Sequence, residues 1–121
     1  MSTLTEKPIL FVKHTCPFSL KLRLYLLEAG LLDTVSLRES RTPAEEDVMK
    51  QELAPHLAKV TYPAARFGDE YMTESDAIIA RFVAEGGRPP EELPTYQAYV
   101  DGPFSQLEGL HQEVAEIKRR A

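Results

Sequence analysis

A proline stands directly after the only cysteine of the chain, where an apolar run gives way to a helix-forming one. The run is Pro8-Ile9-Leu10-Phe11-Val12, whose β-branched and aromatic residues suit a buried strand. Leu20 to Gly30, further on, is rich in straight-chain helix formers and closes on a glycine of the kind that ends helices. Lys13-His14-Thr15-Cys16-Pro17-Phe18-Ser19 is therefore the junction of a strand and a helix. Pro17 suits the first helical position, where its missing N–H would be unpaired anyway. That puts the Cys16 sulfur beside unsatisfied N–H groups and the positive end of the helix dipole, which favour the thiolate. Ser19 can offer its hydroxyl or its backbone N–H to the same sulfur. A lone cysteine is more often an inert, buried apolar residue. The proline, the junction and the basic Lys13 are features an inert cysteine does not need, and the arrangement is that of a nucleophilic thiol.

The rest of the chain places this junction in one domain. At 121 residues, with 43% hydrophobic and 27% charged residues, it can build one ordinary core and not two. Asp33-Thr34-Val35-Ser36-Leu37-Arg38 alternates polar and apolar residues and predicts a second strand. Thr42-Pro43-Ala44-Glu45-Glu46 is a helix start with a threonine cap, proline at the first position and acids in the first turn. That helix runs to Leu53 and is stopped by Pro55. Ala64 to Phe67 predicts a strand, Gly68-Asp69-Glu70 a turn, and Tyr71-Met72 the start of the returning strand. Thr73-Glu74-Ser75-Asp76 then caps a helix over 77–84, ended by Gly86-Gly87. The strand–helix–strand unit is parallel and right-handed, the hairpin antiparallel. The expected domain covers 8–87, after a tail of residues 1–7 and before a linker, 88–92. Residues 93–121 form a C-terminal helical extension, with Leu93, Tyr96, Val100, Phe104, Leu107, Leu110, Val114 and Ile117 on one side. Asp101-Gly102-Pro103 divides it into two pieces.

Several function classes recede on composition. A formal charge of −5 argues against nucleic acid or an anionic membrane as the main partner. No segment approaches the ~18 consecutive apolar residues of a membrane span, and no secretory signal is visible. The histidines have no metal-site spacing, so no metal is expected. One cysteine cannot form an internal disulfide and fits a reducing cytoplasm, the expected compartment.

The order of elements, with Lys13-x-x-Cys16-Pro17-Phe18-Ser19, Thr61-Tyr62-Pro63 and Glu74-Ser75-Asp76 in their places, resembles the thioredoxin fold. More narrowly, it looks like the glutathione-binding domain of glutathione transferases and glutaredoxins, over Pro8 to Gly87. The implied fold is α/β and thioredoxin-like: a mixed four-stranded sheet with three helices, plus the C-terminal helical extension. The resemblance implies that Cys16 is the nucleophile, with Ser19 supporting the thiolate. It implies that Lys13 pairs with a carboxylate of glutathione and that Pro17 and Phe18 border it. Pro63 matches the cis-proline, and the backbone of Tyr62 pairs with the cysteinyl part of the tripeptide. Glu74 and Ser75 match the pair that holds the γ-glutamyl end, and Asp76 an acid used there by glutaredoxins.

Ser19 stands where dithiol glutaredoxins carry a second cysteine, so the cycle needs an outside thiol, which glutathione supplies. The extension is shorter than the helical domain of the transferases, which favours thiol transfer over transfer to apolar electrophiles. The expectation is a monothiol glutaredoxin-like thiol transferase with glutathione as co-substrate and glutathionylated thiols as partners. The alternatives are a non-enzymatic binding module and a glutathione-linked iron–sulfur carrier, the latter disfavoured by the stiffening Pro17. The extension is expected to pack on its own domain or, by preference, on a second copy as a homodimer.

Overall fold

The computed structural model describes residues 7–120. The expected N-terminal tail, apart from Lys7, lies outside the described residues, as does Ala121. Strand β1 (Ile9–Lys13) leads to helix α1 (Pro17–Glu28), then β2 (Ser36–Ser40) and α2 (Pro43–Leu53). The hairpin β3 (Ala64–Phe67) and β4 (Glu70–Thr73) follows, then α3 (Ser75–Ala84). The sheet order is β2-β1-β3-β4. β1 runs parallel to β2, with Leu10 opposite Leu37, and antiparallel to β3, with Leu10 opposite Ala65. The mixed four-stranded α/β sheet expected from the sequence is the one observed.

The alternation of β1 distributes the core. Leu10 packs with Leu22, Tyr25 and Leu26 of α1 and Ile78, Ile79 and Phe82 of α3. Phe11, one residue on, points to the other face and meets Met49 and Leu53 of α2. With helices on both faces, β1 is buried along its middle, and as an inner strand it delivers the cysteine loop at its C-terminal end, beside the end of β2. Helix α2 starts as its sequence predicts: Thr42 Oγ1 accepts from the Glu45 N–H at 3.1 Å, with Pro43 at the first position.

Two element starts differ from the sequence reading by more than one residue, and Glu70, expected in the turn, already begins β4 opposite Phe67. The second strand begins at Ser36 and not at Asp33, because Leu32–Thr34 forms a 3₁₀ turn. There the Thr34 hydroxyl and N–H both donate to the Leu31 carbonyl, a local bond that competes with strand pairing. Helix α3 begins at Ser75, two residues early, and its cap residue Glu74 makes no side-chain capping bond. Its backbone turns in at φ 79°, a conformation that non-glycine residues rarely hold.

The extension is not a separate piece. After a 3₁₀ turn at Pro90–Glu92 come α4 (Pro94–Tyr99), a π-helical turn (Val100–Phe104) and α5 (Ser105–Arg120). Leu93 and Tyr96 join the cluster of α1 and α3. Glu28, at the end of α1, supplies the cap that α4 lacks locally: its carboxylate accepts from the Thr95 N–H at 2.9 Å and the Tyr96 N–H at 2.6 Å. Gly87 allows the chain to turn here. A Cβ on it would meet the Phe82 carbonyl oxygen at 2.8 Å and the Tyr25 hydroxyl at 2.9 Å. Of the two expected packings, the one on its own domain is seen for the first part of the extension only. Residues up to Phe104 pack on their own domain, whereas α5 contains no buried residue.

Leu93→Ala is expected to lower the unfolding free energy by about 2–5 kcal/mol in denaturant titrations, as for other fully buried leucines. The Glu28 cap adds a pH signature. Desolvation pushes its carboxyl up, but the Thr95 and Tyr96 N–H groups, with Arg88 nearby, hold it below the ordinary value of 4.5. A carboxyl lowered by folding contributes stability that is present above 4.5 and lost as pH falls through its folded value. Glu28→Gln should flatten that part of the stability–pH profile, read by chemical unfolding at several pH values.

Candidate functional site

Helix α1 has no serine, threonine, aspartate or asparagine at its cap. Cys16 takes that place, at φ −90° and ψ 120°, and its Sγ accepts from the Ser19 N–H at 3.4 Å. A sulfur at this position lies on the dipole axis of α1, against N–H groups that the helix itself cannot satisfy. Ser19 reaches the sulfur through its backbone. Its buried hydroxyl is turned away and accepts from the Lys13 N–H at 3.1 Å. The His14 N–H donates to the Ser40 carbonyl at 2.9 Å, so both arms of the loop are tied to strand ends.

On its other side, Cys16 Sγ donates to the Tyr62 carbonyl at 3.7 Å. The Tyr62–Pro63 bond is cis, as the sequence reading expected, and Pro63 is fully buried. The strand-to-helix loop and the start of β3, 46 residues apart, thus meet at the sulfur.

A groove of about 1060 Å³ opens beside Cys16. Of the residues expected from sequence, Lys13, Cys16, Pro17, Phe18 and Tyr62 line it; Ser19, Pro63, Glu74, Ser75 and Asp76 do not. Lys13 Nζ sits 3.3 Å from Glu46 of α2, a partly exposed pair. His14 Nδ1 lies 3.6 Å from Glu39, which also binds Arg23 at 2.9 Å and Arg41 at 3.2 Å. Desolvation pushes the Glu39 carboxyl up, but Arg23 first, then Arg41 and His14, hold it below the ordinary carboxylate range.

Glu74, Ser75 and Asp76 gather at the start of α3, with Ser75 buried and the other two exposed. The backbone N–H groups of this turn suit a carboxylate, and the acids suit an ammonium group. Asp76 already has a partner: Lys21 Nζ of α1, at 2.6 Å. That ammonium is itself buried and stands 4.7 Å from the centre of the Phe104 ring. Lys21 therefore links the cysteine helix, α3 and the extension.

Sequence reasoning missed the extension's share of the site. Tyr99 donates its hydroxyl to the Pro17 carbonyl at 3.0 Å. Phe104 meets Phe18 edge-to-face at 5.0 Å and Tyr99 at 5.8 Å. Leu107, Leu110 and Val114 of α5 continue the same wall. The recurring apolar positions signalled a helix, but nothing local said which element it would face. Among the described residues, no group of three or more His, Cys, Asp or Glu is placed to hold a metal ion.

The site yields one prediction. Ser19→Ala leaves the Lys13 N–H without its acceptor and should cost about 1–3 kcal/mol of stability. Because the sulfur is served by the backbone, the rate of Cys16 alkylation by iodoacetamide should change little. A large fall in that rate would mean the hydroxyl itself supports the sulfur.

The family model described as glutathione S-transferase, N-terminal domain, matches residues 15–85. No curated protein matches the chain in sequence. Among solved structures, glutathione transferase Omega 3C from Trametes versicolor is similar with a TM-score of 0.54 and 19% identity, over 79% of this chain and 42% of that one. A glutathione S-transferase from the Antarctic clam Laternula elliptica is similar with a TM-score of 0.50 and 20% identity, over 74% of this chain and 36% of that one. At these identities the likeness is one of fold, and the chain spans less than half the length of either structure.

Proposed function

Since the chain belongs to the glutathione S-transferase N-terminal domain family, we propose that it is a glutathione-dependent thiol transferase that reduces glutathione mixed disulfides through Cys16. The observation that carries this reading is the Cys16 sulfur at the N-cap of α1, held by the Ser19 N–H and bordered by an open groove. Such a position suits a sulfur that alternates between thiolate and mixed disulfide.

In the proposed cycle the Cys16 thiolate attacks the glutathione sulfur of a mixed disulfide. A bond forms between Cys16 and glutathione as the substrate's S–S bond breaks, and the substrate sulfur departs as a thiolate. A free glutathione thiolate then attacks the glutathione sulfur on Cys16. Glutathione disulfide leaves and the Cys16 thiolate returns; in the net exchange the substrate sulfur is reduced to a thiolate and the sulfur of the one incoming glutathione is oxidised to the disulfide level. The absence of a cysteine at Ser19 fits this use of an outside thiol.

The residue chemistry fits a tripeptide with two carboxylates and an ammonium group. Lys13 offers a cation to one carboxylate, in exchange for its contact with Glu46. The start of α3 offers N–H groups to the other, with Ser75 beside them, and Glu74 and Asp76 offer charge to the ammonium. The single cysteine supports a reducing compartment, such as the cytoplasm, as the proposed place of the reaction.

For its partner we propose a second copy, packed through α5. Leu107, Leu110, Val114 and Ile117 recur at three- and four-residue spacing and are 46% to 61% exposed. Glu108, Glu113 and Glu116 precede Lys118, Arg119 and Arg120, so an antiparallel pair sets acids against bases, whereas a parallel pair stacks like charges. Sedimentation of the intact chain should give a dimer, and Leu110→Glu a monomer; a wild-type monomer at micromolar concentration excludes the pairing.

The transferase reading is tested by turnover of a glutathione mixed disulfide with free glutathione. The wild type should be active and Cys16→Ser should lose at least about 10²-fold, the scale of losing an essential nucleophile. Glutathione binding without turnover would favour a binding module. A coloured protein after anaerobic purification would favour iron–sulfur carriage.

A further inference from the structure

The wall that the extension adds to the groove mixes apolar residues, among them Phe104 and Leu107, with the polar Tyr99, Glu108, His111 and Gln112. Of these polar residues, Tyr99 is the one bonded to the cysteine loop. Its hydroxyl donates at 3.0 Å to the carbonyl of Pro17, the residue next to the cysteine. That carbonyl belongs to the first turn of α1, where its ordinary partner is the N–H four residues on. Tyr99 is therefore a second donor to an oxygen that already has one, and the fold does not need the bond to satisfy a buried group. What the bond does is hold a phenol hydroxyl at the mouth of the cysteine loop, on the groove side. The tilted contact with Phe104 holds the ring, and Phe104 is in turn held edge-to-face by Phe18.

Thiol–disulfide exchange places the attacking, central and leaving sulfurs close to one line, and its rate depends on how well the leaving sulfur bears negative charge. The Cys16 sulfur is bordered by the Ser19 N–H on one side and the Tyr62 carbonyl on the other, and it lines the groove that Tyr99 also lines. The groove is therefore the open direction for a departing thiolate. We propose that the Tyr99 hydroxyl is the hydrogen-bond donor that receives the departing thiolate, turning from the Pro17 carbonyl to the leaving sulfur as the S–S bond breaks. This rests on the reading of Cys16 as the nucleophile. No proton is transferred in the step: the thiolate leaves as an anion and takes its proton from water afterwards. Burial of the phenol, with the Cys16 charge beside it, pushes its pKa up, which keeps it a donor throughout the neutral range.

The test compares two mixed disulfides of glutathione, one with an alkyl thiol such as cysteamine and one with an acidic nitrothiophenol. Single-turnover transfer to Cys16 is measured for wild type, Tyr99→Phe and Cys16→Ser. Tyr99→Phe keeps the ring and its contact with Phe104 and removes only the hydroxyl. It should slow the alkyl disulfide about tenfold or more, the effect of losing a hydrogen bond to a charge, and the nitrothiophenol disulfide less than about twofold. Equal slowing of both, or of neither, overturns the proposal, since a merely structural role cannot distinguish leaving groups. A wild type inactive on both substrates overturns the Cys16 reading and this proposal with it. An active wild type that loses activity in Cys16→Ser but shows no leaving-group dependence in Tyr99→Phe overturns this proposal alone. Should Tyr99→Phe fail to fold, the wild type decides. Across a series of leaving thiols its rate should depend less steeply on thiol acidity than that of free cysteine thiolate, and an equal slope refutes the donor.

Discussion

The sulfur of Cys16 stands in for an N-cap oxygen, and the geometry around the site follows from that substitution. A helix start needs acceptors for its first N–H groups. Here the acceptor is large and polarisable, and it receives the Ser19 N–H at 3.4 Å. Removing the sulfur from that role would leave the first turn of α1 short of a partner, so structure and the proposed chemistry compete for one atom. The surrounding loop limits the competition. Ser19 Oγ takes the Lys13 N–H and Ser40 takes the His14 N–H, which satisfies the loop backbone without using the sulfur. The loop therefore keeps two of its own ties while the sulfur changes partner.

A buried ammonium joins α1 to α3 and the extension. Lys21 is held by Asp76 and faced by the Phe104 ring, so α1, α3 and the extension share one cation. Its charge is well compensated, because an unpaired buried ammonium would be far more costly than the pair. The pairing also constrains the γ-glutamyl end of the proposed ligand. An ammonium group approaching Asp76 must share that carboxylate with Lys21, whereas Glu74 has no such partner among the described residues. Glu74 is held at a positive φ at the same place, a strain of the sort that accumulates where a ligand is gripped.

How much of this was legible in the sequence depends on the distance along the chain. Pro17 behind Cys16, Thr42 before Pro43, and Gly68-Asp69 between β3 and β4 are local signals, and each marks the element it suggests. The Thr34 turn and the early start of α3 were missed by two or three residues. In both, a backbone conformation that the sequence did not single out replaced the expected one. The rest is non-local. Glu28 caps a helix 67 and 68 residues away, and Tyr99 reaches Pro17 across 82 residues. A glutamate near the end of one helix and a tyrosine in another are ordinary solvated or packed residues until the topology sets them beside a partner. The extension's contribution to the site therefore could not be read from its periodicity, which specifies a face without specifying what it meets.

That periodicity explains why the extension divides. Leu93, Tyr96, Val100 and Phe104 continue into Leu107, Leu110, Val114 and Ile117 without a break in spacing, so a regular helix would present all of them to one surface. The π-helical turn at Val100–Phe104 interrupts this. Pro103 inside it cannot donate an N–H, and widening the turn is one way to accommodate the loss. Each residue of an α-helix advances the face by about 100°, so one extra residue in the turn rotates everything after it by that amount. Phe104 is still directed onto Phe18, while Leu107 and its successors swing out along the edge of the groove. A proline in mid-helix thus assigns the first half of the apolar stripe to the domain's own core. It leaves the second half beside the Cys16 sulfur, where the groove and the proposed dimer face share Leu107, Leu110 and Val114.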